Sequence, residues 1–287
     1  MPNDITSVRP ADSELDLFGI THVGNVRSEN QDHFLVSTVH PQVVVHGTSL
    51  PDLDGLPLHG TRLATVLVLA DGVGGAAGGS DAARLATESV MRYVASTLRS
   101  YHSVGDGSDE EFLDALKAAS LEAHDAVKSA AAERGYMRMA TTLTVSIAVW
   151  PWAYFTQVGD SRGYLYSRGE LRQLTRDQTV AQALIDQGIM APERRERSPF
   201  NNVLASAIGA EEALPVVTRF DISERGSVIL LCSDGLTKHV ADSEIAESIR
   251  TMTSSEQLAK DLLELALARG GLDNITIIAG RAPIGLE

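Results

Sequence analysis

The chain has 287 residues, with 38 Asp plus Glu against 24 Lys plus Arg and a formal net charge of -14. That balance argues against nucleic acid, whose phosphates are bound by Lys and Arg, and against docking on an anionic membrane. With 44% hydrophobic and 22% charged residues, the composition is that of a globular protein with enough chain to bury a sizeable core. One cysteine, Cys232, excludes an internal disulfide framework and fits a reducing cytoplasm. Residues 1-16 are a polar tail without signal-peptide character. The longest mostly apolar stretch, 143-155, is too short for a spanning helix and contains Pro151.

In chain order, Phe18 to Val23 and Asp32 to Val39 read as strands around a polar turn. A Gly- and Pro-rich loop covers 46-62, and the compact apolar run 63-70 reads as a buried strand broken by Asp71-Gly72-Val73-Gly74-Gly75. An amphipathic helix follows from about Asp81 to Arg99, with Ala82, Leu85, Ala86, Val90, Tyr93, Val94 and Leu98 on one face. After a polar linker at 102-109, Ser108 to Glu111 has capping-box form. A second helix then runs to about Glu133 with Phe112, Leu116, Ala119, Ala123, Val127 and Ala130 as its stripe.

From Thr141 the period changes to two, with Leu143, Val145, Ile147 and Val149 alternating with Thr142, Thr144, Ser146 and Ala148. Strand-like pieces follow at 153-158, 162-168 and 171-174. Residues 176-210 are less regular, with a helical piece near 179-187 and breakers at Pro192 and Pro199. Strands return at 216-221 and 227-233, then helices near 242-250 and 255-268, then a last strand at 275-280. Strands and helix pairs come in blocks rather than as a βαβ alternation, which disfavours a parallel doubly wound sheet. The expected fold is α+β: an antiparallel β-sandwich with helix pairs on its outer faces, a four-layer α-β-β-α arrangement. One domain is expected over 17-283.

Four segments place an Asp at a strand end beside Gly or a turn: Leu69-Ala70-Asp71-Gly72, Gln157-Val158-Gly159-Asp160, Cys232-Ser233-Asp234-Gly235 and Gly271-Leu272-Asp273-Asn274. A fifth, Asp32, opens an early strand. Singly, each is an ordinary turn. Together, carboxylates at converging strand ends would repel unless cations lay between them, and hard divalent cations take such oxygen ligands.

The ordered set resembles the motifs of the metal-dependent protein phosphatases, the type 2C serine/threonine phosphatases, in their bacterial form. The matching pieces are Arg27-x-x-Asn30-Gln31-Asp32, Ala70 to Gly75, Ala140-Thr141-Thr142, Val158-Gly159-Asp160-Ser161-Arg162, Leu231 to Thr237 and Asp273-Asn274-Ile275-Thr276. The resemblance implies hydrolysis of phosphoserine and phosphothreonine esters by a hydroxide bridging two metals, without a covalent intermediate. It implies two or three divalent cations, Mn2+ or Mg2+. Asp71 would bridge the metals, with the Gly72 carbonyl on the second; Asp234 and Asp273 would hold the first, Asp32 would support the second, and Asp160 would serve a third. Arg27, whose planar fork suits phosphate, would bind the substrate. The implied partners are phosphorylated proteins and a cognate Ser/Thr kinase, for a monomeric cytoplasmic enzyme with residues 176-210 as its flap.

Three positions depart from the family's habit. Gln31 stands where Glu is frequent, Val73 where some relatives have a His proposed as general acid, and Ser198-Pro199 where many bacterial relatives have His-Pro. Asn274 reads as a turn-closing side chain and Cys232 as a packed thiol.

Rival readings are weaker. Gly72 to Ala77 nearly spells a dinucleotide fingerprint, but a second helix follows where a βαβ unit needs a strand. Gly159-Asp160-Ser161-Arg162-Gly163 matches a nucleophile elbow, but it leads into a hairpin, with His239 a triad partner on paper only. A catalytically inactive, phosphoprotein-binding or sensing relative is the remaining alternative.

Overall fold

The computed structural model describes residues 8-283 except 47, 50, 51, 53-56, 74-76, 104-108 and 137, and no side chain at 77 or 97-103. Gly74, Gly75, Ser108, most of the 102-109 linker and part of the 46-62 loop thus lie outside the described residues.

Two five-stranded sheets face each other. With strands numbered in chain order, the first runs β1 (Asp16-His22), β12 (Ile275-Arg281), β11 (Val228-Cys232), β8 (Arg162-Ser167), β9 (Glu170-Gln173). The second runs β10 (Val216-Asp221), β7 (Trp152-Val158), β6 (Leu143-Val149), β3 (Ala64-Ala70), β2 (His33-Val39). Every pairing within them is antiparallel. A short ribbon joins β4 (Gly72-Val73) to β5 (Ala140-Thr141). Helices α1 (Ala77-Ser103) and α2 (Asp109-Arg134) lie on the second sheet, and α5 (Asp242-Thr251) and α6 (Ser255-Ala268) on the first. The expected four layers are present.

The side-chain period of two sorts each central strand between two apolar layers. On β3, Val66 and Val68 pack under α1 and α2, while Leu67 and Leu69 face the other sheet. On β11, Val228, Leu230 and Cys232 pack under α6, while Ile229 and Leu231 face inward. Each fully buried Leu, Ile or Val contributes about 1.5-3 kcal/mol, so these layers fix the register. On β6 even the polar phase is buried. Thr144 donates to the Ser161 carbonyl at 3.2 Å.

The first helix starts four residues before its predicted Asp81 and ends four after Arg99. Gly78 and Gly79 conceal this start, because glycine is a poor helix former. Their smallness is needed: a Cβ on Gly79 would lie 2.6 Å from the Gln31 amide oxygen. The second helix begins at Asp109 with Asp109, Glu110 and Glu111 in its first turn, suiting the positive end of its dipole. Tyr154 of β7 ties that end down, donating to the Asp109 carboxylate at 2.8 Å. The predicted stripe of α2 is buried at Phe112, Leu116, Ala119, Ala123 and Val127.

Candidate functional site

Antiparallel register gathers the strand-end aspartates. His33 pairs with Ala70, so Asp32 and Asp71 stand side by side beyond one end of the second sheet. Leu143 pairs with Val158, which carries Gly159-Asp160 past the same end. In the first sheet Cys232 pairs with Ile277, which sets Asp234 opposite the Asp273-Asn274 turn. Asp71, Gly72, Asp160, Asp234, Asp273 and Arg27 line one cleft of about 390 Å3, with Gln31, Val73, Asn202, Leu204 and Lys238. Asp32 is buried beside it at 4% exposure.

Backbone and hydroxyl contacts hold the carboxylates. The Thr142 hydroxyl accepts from the Asp71 N-H at 3.0 Å, and the Thr142 N-H and Thr141 hydroxyl both donate to the Asp71 carbonyl at 2.8 Å. Ser233 and Thr276 donate to Asp32 Oδ2 at 2.9 and 2.7 Å. Asp32 Oδ1 is buried without a hydrogen-bond partner. Asn274 latches the loop before β2, accepting from the Gln31 N-H and donating to the Val23 and Glu29 carbonyls, all at 2.9 Å. The expected turn-closing role of Asn274 is thus a latch between two loops. Gly235 lets this turn close: a Cβ there would lie 2.0 Å from the Asn274 carbonyl oxygen.

Burial and mutual repulsion push most of these acids toward the protonated form. Burial raises Asp71 well above the carboxylate range, helped by repulsion from Asp32, Asp234, Asp160 and Asp273. Burial lifts Asp32 to about 6, against hydrogen bonds from Thr276 and Ser233. Burial, with Asp234 and Asp177 nearby, lifts Asp160 to about 7. Asp234 is raised by burial despite Lys238. Asp273 is the exception: burial would raise it, but Arg27 and Lys238 hold it below its ordinary value. The cluster carries a surplus of negative charge that its own basic side chains do not balance.

Arg27 lies at the rim, 56% exposed, with Nε 2.8 Å from Asp273 Oδ1 and Nη2 2.9 Å from Oδ2. It is held by a carboxylate here rather than free in the cleft. Lys238, which no motif singled out, reaches in from the end of the short helix α4 (Asp234-Thr237). Its Nζ lies 2.6 Å from Asp234 Oδ2 and 2.8 Å from Asp273 Oδ2. The i,i+4 spacing from Asp234 was the available signal. Among the described residues no three or more His, Cys, Asp or Glu side chains close around a single metal position; two basic side chains stand among the acids.

Residues 176-210 border the cleft through Asn202 and Leu204. They hold α3 (Val180-Asp186) and a 3-10 turn at Pro192-Arg197. Their ends are pinned: Gly159 donates to Gln178 Oε1 at 2.9 Å, and Thr141 and Ile208 exchange backbone bonds at 3.0 and 2.9 Å. Buried Asp177 accepts from Arg162 of β8 and from Arg195 of the 3-10 turn.

The nucleophile-elbow reading fails in structure. Ser161 is fully buried against the Thr142 hydroxyl at 2.8 Å and leads into a strand. His239 lies in the turn after Thr237, and its Nε2 accepts from the Leu272 N-H at 3.1 Å, bracing the Asp273 turn.

The serine/threonine protein phosphatase PstP of Mycobacterium tuberculosis is 34% identical over 216 residues, 75% of this chain and 40% of that protein. The chain therefore spans less than half the length of that relative. Protein phosphatase PhpP of Streptococcus pneumoniae is 31% identical over 214 residues, 74% of this chain and 84% of that protein. A crystal structure of the PstP catalytic domain in complex with two manganese ions superposes with a TM-score of 0.69 and 29% identity, covering 94% of this chain and 99% of that one. Residues 49-267 match the family described as protein phosphatase 2C. That span takes in the cleft from Asp71 to Asp234, and the chain belongs to the protein phosphatase 2C family.

Proposed function

We propose that the chain is a metal-dependent phosphatase that hydrolyses phosphoserine and phosphothreonine esters in proteins. The observation that carries this reading is the convergence of Asp32, Asp71, Asp160, Asp234 and Asp273 on one cleft.

The donors fit hard divalent cations, manganese or magnesium. All are oxygens, Asp32 Oδ1 is buried with no partner, and the raised carboxylates lack balancing charge. Asp71, the Gly72 carbonyl, Asp32, Asp160, Asp234 and Asp273 would hold the ions. When bound, the ions supply an activated water for in-line attack and neutralise charge on the phosphoryl oxygens.

The chain's own side chains do the rest. Arg27, at the rim and more than half exposed, swings from Asp273 onto the phosphate, where its fork donates to two oxygens. Thr141, Thr142, Ser233 and Thr276 hold the acids in place against their repulsion. Val73 has no proton to give, so the leaving alkoxide is protonated by another group. Asn202 and Leu204, from the flap, meet the residues flanking the phosphorylated side chain.

The partners are then phosphoproteins, among them products of a cognate Ser/Thr kinase, met by a monomer in the cytoplasm. Among the described residues no helix is long and apolar enough to cross a membrane. The inactive, binding-only alternative has no support in the site, where every expected carboxylate is present.

The test is phosphate release from phosphothreonine and phosphotyrosine peptides with Mn2+, Mg2+ or EDTA. Turnover of the phosphothreonine peptide that EDTA abolishes is expected. No turnover with any divalent cation contradicts the reading.

A further inference from the structure

Both oxygens of Asp273 are taken up by donors. Its Oδ1 accepts from Arg27 Nε at 2.8 Å and from the Asn274 N-H at 3.0 Å. Its Oδ2 accepts from Arg27 Nη2 at 2.9 Å and from Lys238 Nζ at 2.8 Å. The same Nζ lies 2.6 Å from Asp234 Oδ2. Its side chain is 26% exposed, so much of its stem is packed and its ammonium has a defined seat.

We propose that Lys238 is an internal cation for the Asp234-Asp273 pair, and that divalent-metal binding there is an exchange in which the ammonium leaves. The inference rests on the reading of these acids as a metal site. A divalent cation takes carboxylate oxygens at about 2.1-2.6 Å. An ion ligated by Asp234 Oδ2 and Asp273 Oδ2 lands on or beside the position of Nζ, with like charge. The two cations therefore compete for one pair of oxygens.

Two consequences follow from the geometry. The ammonium keeps the acids from repelling one another before metal arrives, so the cleft is preformed. It also weakens metal binding, because each binding event must displace it. Arg27 shares Asp273, so the same exchange loosens the guanidinium that the phosphate needs. Lys238 is thus a residue that sets metal affinity through the ligands rather than a ligand itself.

The test uses the full chain, freed of metal by EDTA and dialysis, with Mn2+ alone as titrant in calorimetry. Lys238→Met removes the charge and keeps the stem. It is expected to tighten Mn2+ binding at the Asp234-Asp273 site by about 10- to 100-fold, the range in which groups bonded to metal ligands act. In the wild-type chain, amine-reactive labelling of Lys238, read by mass spectrometry, is expected to rise when Mn2+ saturates the site. Labelling needs no variant, so it decides the matter even if Lys238→Met folds poorly. A wild-type Lys238 labelled equally with and without Mn2+, or a Lys238→Met affinity within twofold of wild type, overturns the exchange. A wild-type chain that binds no Mn2+ overturns the metal site itself.

Discussion

The Asp177→Asn substitution removes one charge from the joint between flap and sheet. Asp177 is 5% exposed and Arg162 is 18% exposed, with Arg162 Nε 2.9 Å from Oδ1 and Nη2 2.8 Å from Oδ2. Arg195 and the Gln173 amide bond the same carboxylate. Taking the acid away leaves the largely buried Arg162 guanidinium with only the looser contact of Nη1 to Asp242 Oδ1 at 3.7 Å and the Tyr164 hydroxyl at 3.2 Å. Breaking such a pair from one side costs about 3-5 kcal/mol. At about 2 °C per kcal/mol for a chain of this size, Tm should fall by about 6-10 °C. The pH dependence has a definite sign. Burial would raise the Asp177 pKa, but Arg162 and Arg195 outweigh it and hold it below the ordinary 3.8. The pair's contribution is therefore present above about pH 4 and lost as pH falls through the depressed pKa. The assay is a thermal melt at pH 7 and again at stepwise lower pH. A Tm within 2 °C of wild type at pH 7 would refute the reasoning.

Arg27→Ala should raise KM for a phosphothreonine peptide about tenfold while leaving kcat within a few-fold, because the guanidinium meets the phosphate in ground and transition states alike. Steady-state kinetics at saturating Mn2+ decides this, and a large kcat loss at constant KM contradicts it. Cys232 is fully buried, and burial pushes its thiol up to about 12. A thiol reagent at pH 7 should leave the folded chain unlabelled and label one thiol per chain in denaturant; rapid labelling of the native protein contradicts the packing.

The layers were legible because period and composition are local properties. The apolar strand at 63-70, the stripe of α2 and the blocks of strands and helices needed only neighbours in sequence. The β4-β5 ribbon escaped because two-residue strands carry no periodicity, and the start of α1 because Gly78 and Gly79 pack against other loops. At the site, each strand-end Asp was visible singly. Their convergence depends on register across two sheets, which spacing does not encode, so the resemblance had to supply it. Lys238 lay between the strand predicted at 227-233 and the helix near 242-250, and its contact with Asp273 spans 35 positions. The clamp of Thr141 and Thr142 on Asp71 spans about 70 positions and joins residues that no local pattern connects.

The central claim is that the carboxylate cluster makes the chain a metal-dependent phosphatase. It is tested most directly by comparing wild type with Asp71→Asn on a phosphothreonine peptide across an Mn2+ titration. Asp71 is the acid whose protonated form is favoured by burial and by all four other aspartates, and whose backbone is clamped from β5. The account predicts turnover that rises and saturates with Mn2+ in the wild type, and a loss of about a thousandfold or more in the variant at every Mn2+ concentration. Near-wild-type turnover of Asp71→Asn at saturating Mn2+ would contradict it.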